Sequence, residues 1–230
     1  MKTKIIAIIP ARGGSKRIPR KNIKLLCGKP LIYYTIREAL KSKHISKTIV
    51  STENEEVAKT SNEYSAEVIK RPIELAKDET PTIDVIFHVL RAQAENFEPG
   101  LIVLLQPTSP LRNAQDIDNA IELFLKNDCE SVVSVCEVEH SPYWSFEIEN
   151  RYLKPIFGGK YLNMRRQDLP KVYTPNGAIY VSTPEILRKY KSFYCSKTIP
   201  YIMPPERSVD IDNEIDFMLA ELLMMKYGLE

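Results

Sequence analysis

Lys4-Ile5-Ile6-Ala7-Ile8-Ile9, followed at once by Pro10-Ala11-Arg12-Gly13-Gly14-Ser15-Lys16-Arg17-Ile18-Pro19-Arg20-Lys21-Asn22, is the stretch on which the fold turns. The run from Ile5 to Ile9 is apolar throughout and rich in β-branched residues, the pattern of a strand covered on both faces. The residues after it are basic and are broken by two glycines and two prolines, so they read as a loop. In open α/β sheets, ligands bind at the carboxyl ends of the strands, which is where this loop lies. Gly13-Gly14 would let backbone N–H groups turn toward an anion. Arg12, Lys16 and Lys21 add charge, and Ser15 adds a hydroxyl donor. Together they fit a polyphosphate such as a nucleoside triphosphate. The GxxxxGK[ST] spacing of a P-loop and the GxGxxG of a dinucleotide fold are both absent.

Outward from this stretch the pattern alternates. Helices are expected over Pro30–Leu40, Glu53–Tyr64, Thr82–Asn96, Asp116–Lys126 and Ile215–Tyr227. Strands are expected over Thr48–Ser51, Glu67–Ile69, Leu101–Leu105, Ser131–Cys136, Gly177–Ser182 and Ile199–Met203. In Thr82–Asn96 the apolar residues Ile83, Ile86, Phe87 and Leu90 share one face. Asp212 or Asn213 would cap the last helix. Strands alternating with helices of this length argue for β-α-β units in a mainly parallel, three-layer α/β sheet. The alternation breaks between His140 and Pro175. That segment holds the single tryptophan, Trp144, several tyrosines and Gly158-Gly159, and reads as a β-rich excursion serving as a dimerisation arm or lid. The expectation is one domain over residues 1–230 with an insertion at about 140–175.

The formal net charge of +2 hides an asymmetry. Residues 1–37 carry ten Lys or Arg and no Asp or Glu, so the balance is +10 followed by −8. This points to an N-terminal anion site on an otherwise acidic protein. No aromatic interleaves with the charges of the loop Pro10–Asn22, and the rest of the chain is acidic, which argues against a nucleic-acid partner. No window approaches the roughly 18 apolar residues that a membrane span needs. The first apolar run is also too short for an export signal, so a cytoplasmic protein with no membrane partner is expected. Four cysteines (Cys27, Cys129, Cys136 and Cys195) without CxxC spacing read as reduced thiols, and three scattered histidines form no zinc pattern.

Ile9-Pro10-Ala11-Arg12-Gly13-Gly14-Ser15-Lys16, with Lys21-Asn22, resembles the N-terminal signature of the acylneuraminate cytidylyltransferases, or CMP-sialic acid synthetases. Four further segments resemble that family in order: Arg71-Pro72; Gln106-Pro107-Thr108-Ser109-Pro110-Leu111-Arg112; Arg165-Arg166-Gln167-Asp168-Leu169-Pro170 with Pro175-Asn176-Gly177-Ala178-Ile179-Tyr180; and Ser208-Val209-Asp210-Ile211-Asp212. The resemblance implies a Rossmann-like sheet of the nucleotidyltransferase or GT-A kind and a homodimer. It implies CTP and a nonulosonic acid, N-acetylneuraminic acid first, as substrates. It places Ala11, Arg12, Gly13, Ser15, Lys16, Lys21, Asn22 and Arg71 at CTP, with Arg71 beside the cytosine. Gln106, Ser109, Arg166, Asn176, Tyr180, Phe193 and Tyr194 would face the sugar acid, with Arg166 on its carboxylate. Lys21, Arg12, Asp210 and Asp212 would carry the catalysis. Two carboxylates two residues apart on extended chain point the same way, a hard-oxygen pair suited to Mg²⁺.

The implied reaction is attack of the anomeric hydroxyl on the α-phosphorus of CTP with in-line loss of pyrophosphate. No histidine is placed as a general base, which leaves Asp212 or a metal-bound hydroxide as the expected proton acceptor. Two residues depart from the family's pattern. Ser51-Thr52-Glu53 stands where Ser-Thr-Asp is often found. Thr174 stands where some members carry a basic residue, which leaves room for another nonulosonic acid such as legionaminic or pseudaminic acid. The competing readings are a Kdo cytidylyltransferase, a GT-A glycosyltransferase using Asp-x-Asp, and a non-catalytic nucleotide-binding module.

Overall fold

Residues 3–95 and 97–228 are described by the computed structural model, and their first element is the strand β1 (Ile5–Pro10). The basic loop leads to a small hairpin of β2 (Leu25–Leu26) and β3 (Lys29–Pro30). Pro30 then caps α1 (Leu31–Lys41), as a residue without an N–H can do at little cost. β4 (Lys47–Thr52) and α2 (Glu55–Glu63) follow. The Asn54 side chain accepts the N–H groups of Glu56 and Val57, which sets the start of α2 two residues later than the acidic run suggests. Next come β5 (Glu67–Lys70), α3 (Thr82–Gln93) and β6 (Leu101–Leu104). Asn96, the expected end of α3, lies outside the described residues. α4 (Ala114–Lys126) opens with a capping box between Asn113 and Asp116 and leads into β7 (Ser131–Glu137).

The segment between β7 and the next core strand contains one hairpin, β8 (Phe146–Glu149) with β9 (Tyr152–Pro155), and three short 3-10 turns. The chain re-enters the core as β10 (Tyr173–Ser182) and continues through α5 (Pro184–Tyr190), β11 (Thr198–Ile202) and α6 (Glu214–Tyr227). α5 is absent from the sequence expectation. α6 is capped by Asn213 in a second capping box, with Asp216.

Seven strands form one sheet in the order β11-β7-β10-β6-β1-β4-β5. All neighbours are parallel except β10, which runs against both β6 and β7. The strand pleat sorts the core into two layers. Ile5, Ala7 and Ile9 pack with α1, α2 and α4 residues such as Ile32, Val57 and Ile117. Ile6 and Ile8 pack on the other side with Ile86 and Val89 of α3 and Leu187 of α5. This is the expected three-layer, mainly parallel α/β architecture. A third apolar cluster joins Ile18 of the basic loop, Leu26, Tyr34, Leu111 and Ile211 to Phe217 and Met224 of α6. It ties the two ends of the sequence together beneath the site. Among the described residues, no helix is long and apolar enough to cross a membrane.

Candidate active site

The carboxyl ends of β1, β5 and β6 open onto a cavity of about 530 Å³. Arg12, Ser15, Lys16, Lys21, Asn22, Arg71, Gln106 and Asp212 all line it, so residues from four of the five sequence segments meet there. Asn22 is buried and its amide donates to the Arg12 carbonyl at 2.8 Å, which fixes the curve of the loop. The Lys21 ammonium donates to the Ile211 carbonyl at 2.6 Å and lies 3.6 Å from the Asp212 carboxylate, linking the basic loop to the aspartate segment. Arg17 reaches Asp212 at 3.7 Å. Arg12 and Lys16 both pair with Asp78, on the loop that follows β5.

Gly13 does not turn its N–H toward the cavity. That group donates to Glu53 Oε1 at 2.6 Å, and a Cβ at this position would stand 2.5 Å from the Asn54 side-chain nitrogen. Close approach therefore selects glycine here, which corrects the expectation of an anion nest at Gly13. Ala11, by contrast, is fully buried. Its N–H donates to the Ser51 carbonyl at 2.9 Å, continuing the sheet ladder, and it does not face the cavity. Glu53 uses its other oxygen to accept Arg71 Nε and Nη2 at 3.1 and 2.9 Å. Burial pulls the Arg71 pKa down and Glu53 opposes that shift.

Asp210-Ile211-Asp212 lies outside the strands, in the stretch between β11 and α6, and alternates in exposure. Ile211 is buried in the third cluster with its N–H on the Thr108 carbonyl at 2.8 Å, while both aspartates are exposed as residues. The Asp210 carboxylate is nonetheless crowded, since a Cβ on Gly177 would lie 3.1 Å from its Oδ2 and from Gln106 Oε1. Gly177 has φ of +73° in an irregular stretch of β10 between Pro175 and Tyr180, so a side chain there would be both strained and obstructive. Desolvation raises the Asp210 pKa and the nearby Asp212 charge adds to it, against a hydrogen bond from Thr108. Two carboxylates that feel each other's charge, beside a cavity lined by cations, form a donor set that suits a hard divalent ion. Among the described residues, no group of three or more His, Cys, Asp or Glu side chains gathers for a metal.

Of the residues assigned to the sugar, Gln106 lines the cavity. Tyr180 is buried against Phe193, with ring centroids 5.3 Å apart. Burial raises its phenol pKa, and Tyr194 and Asp210 both raise it further, so these groups share one neighbourhood. Ser109 and Asn176 face inward. Ser109 is fully buried and donates to the Asn176 carbonyl at 3.2 Å. The Asn176 side chain is taken up by Ser134, Ala178 N–H and Ser208. Both support β10 and neither offers a free polar atom to a sugar. Arg166 stands apart, in a separate cleft of 380 Å³ with Glu137, Ser141 and Lys171.

The cytidylyltransferase family model matches residues 6–203 of the chain. The chain belongs to the cytidylyltransferase family. It is 39% identical over 217 residues to the N-acylneuraminate cytidylyltransferase of Streptococcus agalactiae, an alignment covering 94% of this chain and 52% of that protein. The chain thus spans about half the length of that relative. It is 38% identical to the CMP-N,N'-diacetyllegionaminic acid synthase of Legionella pneumophila, covering 96% of each. A solved CMP:2-keto-3-deoxy-manno-octonic acid synthetase complexed with CTP has the same fold, with a TM-score of 0.75 at 16% identity, covering 98% of this chain and 100% of that one.

Several residues that shape the cavity carry no role in the sequence reading. Asp78 holds the loop cations Arg12 and Lys16, and Glu53 holds Arg71 and the Gly13 N–H. Arg112 closes the sequence segment that begins at Gln106 and is 1% exposed. Its guanidinium donates to the carbonyls of Gln106 and Ala178 at 3.0 Å and to the Thr35 hydroxyl. Burial lowers its pKa to about 9, with Glu38, Asp116 and Asp210 opposing, so it stays charged at neutral pH. Arg207 forks onto the buried Asp116 at 3.0 and 3.1 Å, which anchors the segment leading to Asp210. Arg112 lay inside a motif, and Glu53 stood in Ser51-Thr52-Glu53 only as a departure from the family's pattern. The others surface through partners distant in sequence.

Proposed function

We propose that this chain couples CTP to a nonulosonic acid, releasing pyrophosphate. The observation that carries the proposal is the cavity at the carboxyl ends of β1, β5 and β6, lined by Arg12, Lys16, Lys21, Arg71 and Asp212, with Asp210 close to its lining residue Gln106. Residues placed this way act by positioning and by meeting charge as it develops, not by covalent catalysis. The anomeric oxygen forms a bond to the α-phosphorus, the bond from that phosphorus to the pyrophosphate oxygen breaks, and the hydroxyl proton passes to a carboxylate, for which Asp212, in the cavity lining, is the candidate. Arg12, Ser15, Lys16 and Lys21 hold the β- and γ-phosphates and neutralise the leaving group. Asp210 and Asp212 would hold Mg²⁺, which supplies charge screening between the two anionic substrates and acidifies the attacking hydroxyl. Gln106, Tyr180, Phe193 and Tyr194 would bound the sugar. Arg166 would serve its carboxylate only if the insertion, or a second copy of the chain, brings it to the site.

N-acetylneuraminate is the first candidate substrate. The absence of a basic residue at Thr174, with a legionaminic acid synthase as a full-length relative, supports a legionaminic-type acid as the second. We extend the proposal to a homodimer, because β8 and β9 leave Ile148, Tyr152 and Leu153 exposed. We extend it also to a cytoplasmic setting, because all four cysteines are free. Pyrophosphate release would be followed with CTP and Mg²⁺ against N-acetylneuraminate, N,N'-diacetyllegionaminate, pseudaminate and Kdo. Turnover with one of the nine-carbon acids supports the reading, and no release with any of the four overturns it.

A further inference from the structure

We propose that Glu53 is a positioning residue for nucleobase selection, which it sets by locking the Arg71 guanidinium to the loop that carries the phosphate-binding cations. The inference rests on the reading of the cavity as a CTP site. The Glu53 side chain is 11% exposed and its two oxygens are divided between two elements. Oε1 accepts the Gly13 N–H at 2.6 Å, and Oε2 accepts Nε and Nη2 of Arg71 at 3.1 and 2.9 Å. Arg71 is held from behind as well, since its N–H donates to the Thr52 carbonyl at 2.9 Å. The neighbouring Asn54 fills the space against Gly13, so loop and guanidinium are keyed to the same two residues at the end of β4.

A guanidinium has donors only. Glu53 engages the Nε and Nη2 donors of Arg71, while Nη1 has no protein partner among the described residues and Arg71 lines the cavity. What such an edge can meet is a pair of acceptors. Cytosine offers N3 and O2 side by side, whereas uracil places an N3–H beside its O2. Held in one orientation, Arg71 favours the first base over the second. Released, it keeps its charge for the phosphates but loses the geometry that separates the two bases.

The chemistry of Glu53 makes the lock specific to a carboxylate. Both of its partners are donors, so an amide at this position turns its NH₂ toward one of them whichever way it flips. Aspartate, the residue often found at this place in the family's pattern, keeps the charge and both acceptor oxygens, so it is the conservative variant. Binding of CTP, UTP and inorganic tripolyphosphate would be measured by calorimetry on the wild-type chain, Glu53→Gln, Glu53→Ala and Glu53→Asp. The expected result is a fall of about tenfold in the preference for CTP over UTP in Glu53→Gln and Glu53→Ala, as loss of one charge-assisted hydrogen bond implies, with the preference largely kept in Glu53→Asp and a much smaller change for tripolyphosphate. A merely structural role would weaken all three ligands in proportion, and an unchanged CTP-to-UTP ratio in the first two variants overturns the inference. If Glu53→Gln does not fold, Glu53→Ala carries the same readout. Wild-type protein that binds UTP as tightly as CTP overturns the proposed function and this inference with it. A wild-type preference that survives Glu53→Gln and Glu53→Ala overturns the inference alone.

Discussion

Gly13 and Gly14 are adjacent in the basic loop, and alanine at the two positions should have opposite consequences. A methyl group on Gly13 would lie 2.5 Å from Asn54 Nδ2 and 2.7 Å from its Cβ and Cγ, too close to persist. Asn54 cannot simply rotate away, because its Oδ1 accepts the N–H groups of Glu56 and Val57 at 3.0 Å and so caps α2. Giving up that cap costs about 0.5–2 kcal/mol. If the loop moves instead, the 2.6 Å bond from Gly13 N–H to Glu53 is lost, at a cost of about 1.5–3 kcal/mol for a hydrogen bond to a charged group. Reduced freedom of the unfolded chain returns about 0.4–1 kcal/mol for a glycine-to-alanine change. The cheaper route, loss of the cap less this return, leaves Gly13→Ala destabilising by up to about 1.5 kcal/mol. A methyl group on Gly14 would have open space around it, with no atom within 4 Å, so Gly14→Ala should be neutral or slightly stabilising. Urea unfolding would report a lower midpoint for the first variant alone, with the slope unchanged. Because the same displacement moves Arg12, Ser15 and Lys16, the KM for CTP should rise with it. Asn54→Gly removes the obstructing atoms, so the penalty of Gly13→Ala should shrink in that background. Equal midpoints for Gly13→Ala and Gly14→Ala would refute the close-approach argument.

Asp78→Asn frees Arg12 and Lys16 from their carboxylate partner, so pyrophosphate should inhibit more strongly and the KM for CTP should fall; the effect should fade as salt is added. A higher KM would show instead that Asp78 holds the loop in its binding shape. Arg207→Met leaves the buried Asp116 without its fork and should cost about 1.5–3 kcal/mol. It should also lower kcat more than it raises the KM for CTP, because the segment it releases carries Asp210 and Asp212; Arg207→Lys should recover part of both losses. Desolvation raises the pKa of the buried Glu38, but Lys41, the Ala114 N–H and Arg37 outweigh it and hold the carboxyl below its ordinary value. The unfolded chain then binds more protons in that window, so the stability Glu38 contributes is present above the unfolded pKa and is lost as pH falls through the folded one. Glu38→Gln should unfold at lower urea than wild type at neutral pH, and the gap should close as the pH drops below about 4.

The parallel core was legible because Ile5–Ile9 and Leu101–Leu105 are apolar without alternation, and because the apolar stripes of the helices between strands are long enough to show a period. α5 escaped for the opposite reason. Its start signals are present, with the Thr183 hydroxyl accepting the Ile186 N–H and Pro184 in the first turn, but seven residues with only Leu187 buried show no stripe. In the site, the loop cations could be read from one continuous motif. The carboxylates that hold the site together could not, because Glu53, Asp78 and Asp116 meet the Gly13 N–H, Arg12 and Arg207 across 40, 66 and 91 residues. Ser109 and Asn176 show the converse limit. A polar residue in a loop motif looks available to a ligand until the packing reveals that its hydrogen bonds are already satisfied within the protein.

Reversing a single strand also decides how freely this molecule can be remodelled. Since β10 runs against its neighbours, β7 leaves the sheet and β10 enters it on the same side, the side of the cavity. The insertion with its β8–β9 hairpin hangs from those two adjacent ends, so it can lengthen, shorten or be exchanged without rerouting any helix that crosses the sheet. Its re-entry leads directly to Gly177 and Tyr180, beside Asp210, and leaves the pairing of β1 with β4 and β6 untouched. Under the proposed function, the loop cations that would hold the nucleotide and the β10 residues that would face the sugar acid are thereby on separate tethers. Transplanting the whole insertion between relatives, with Tyr173 to Tyr180 as the junction, is the exchange that the topology tolerates.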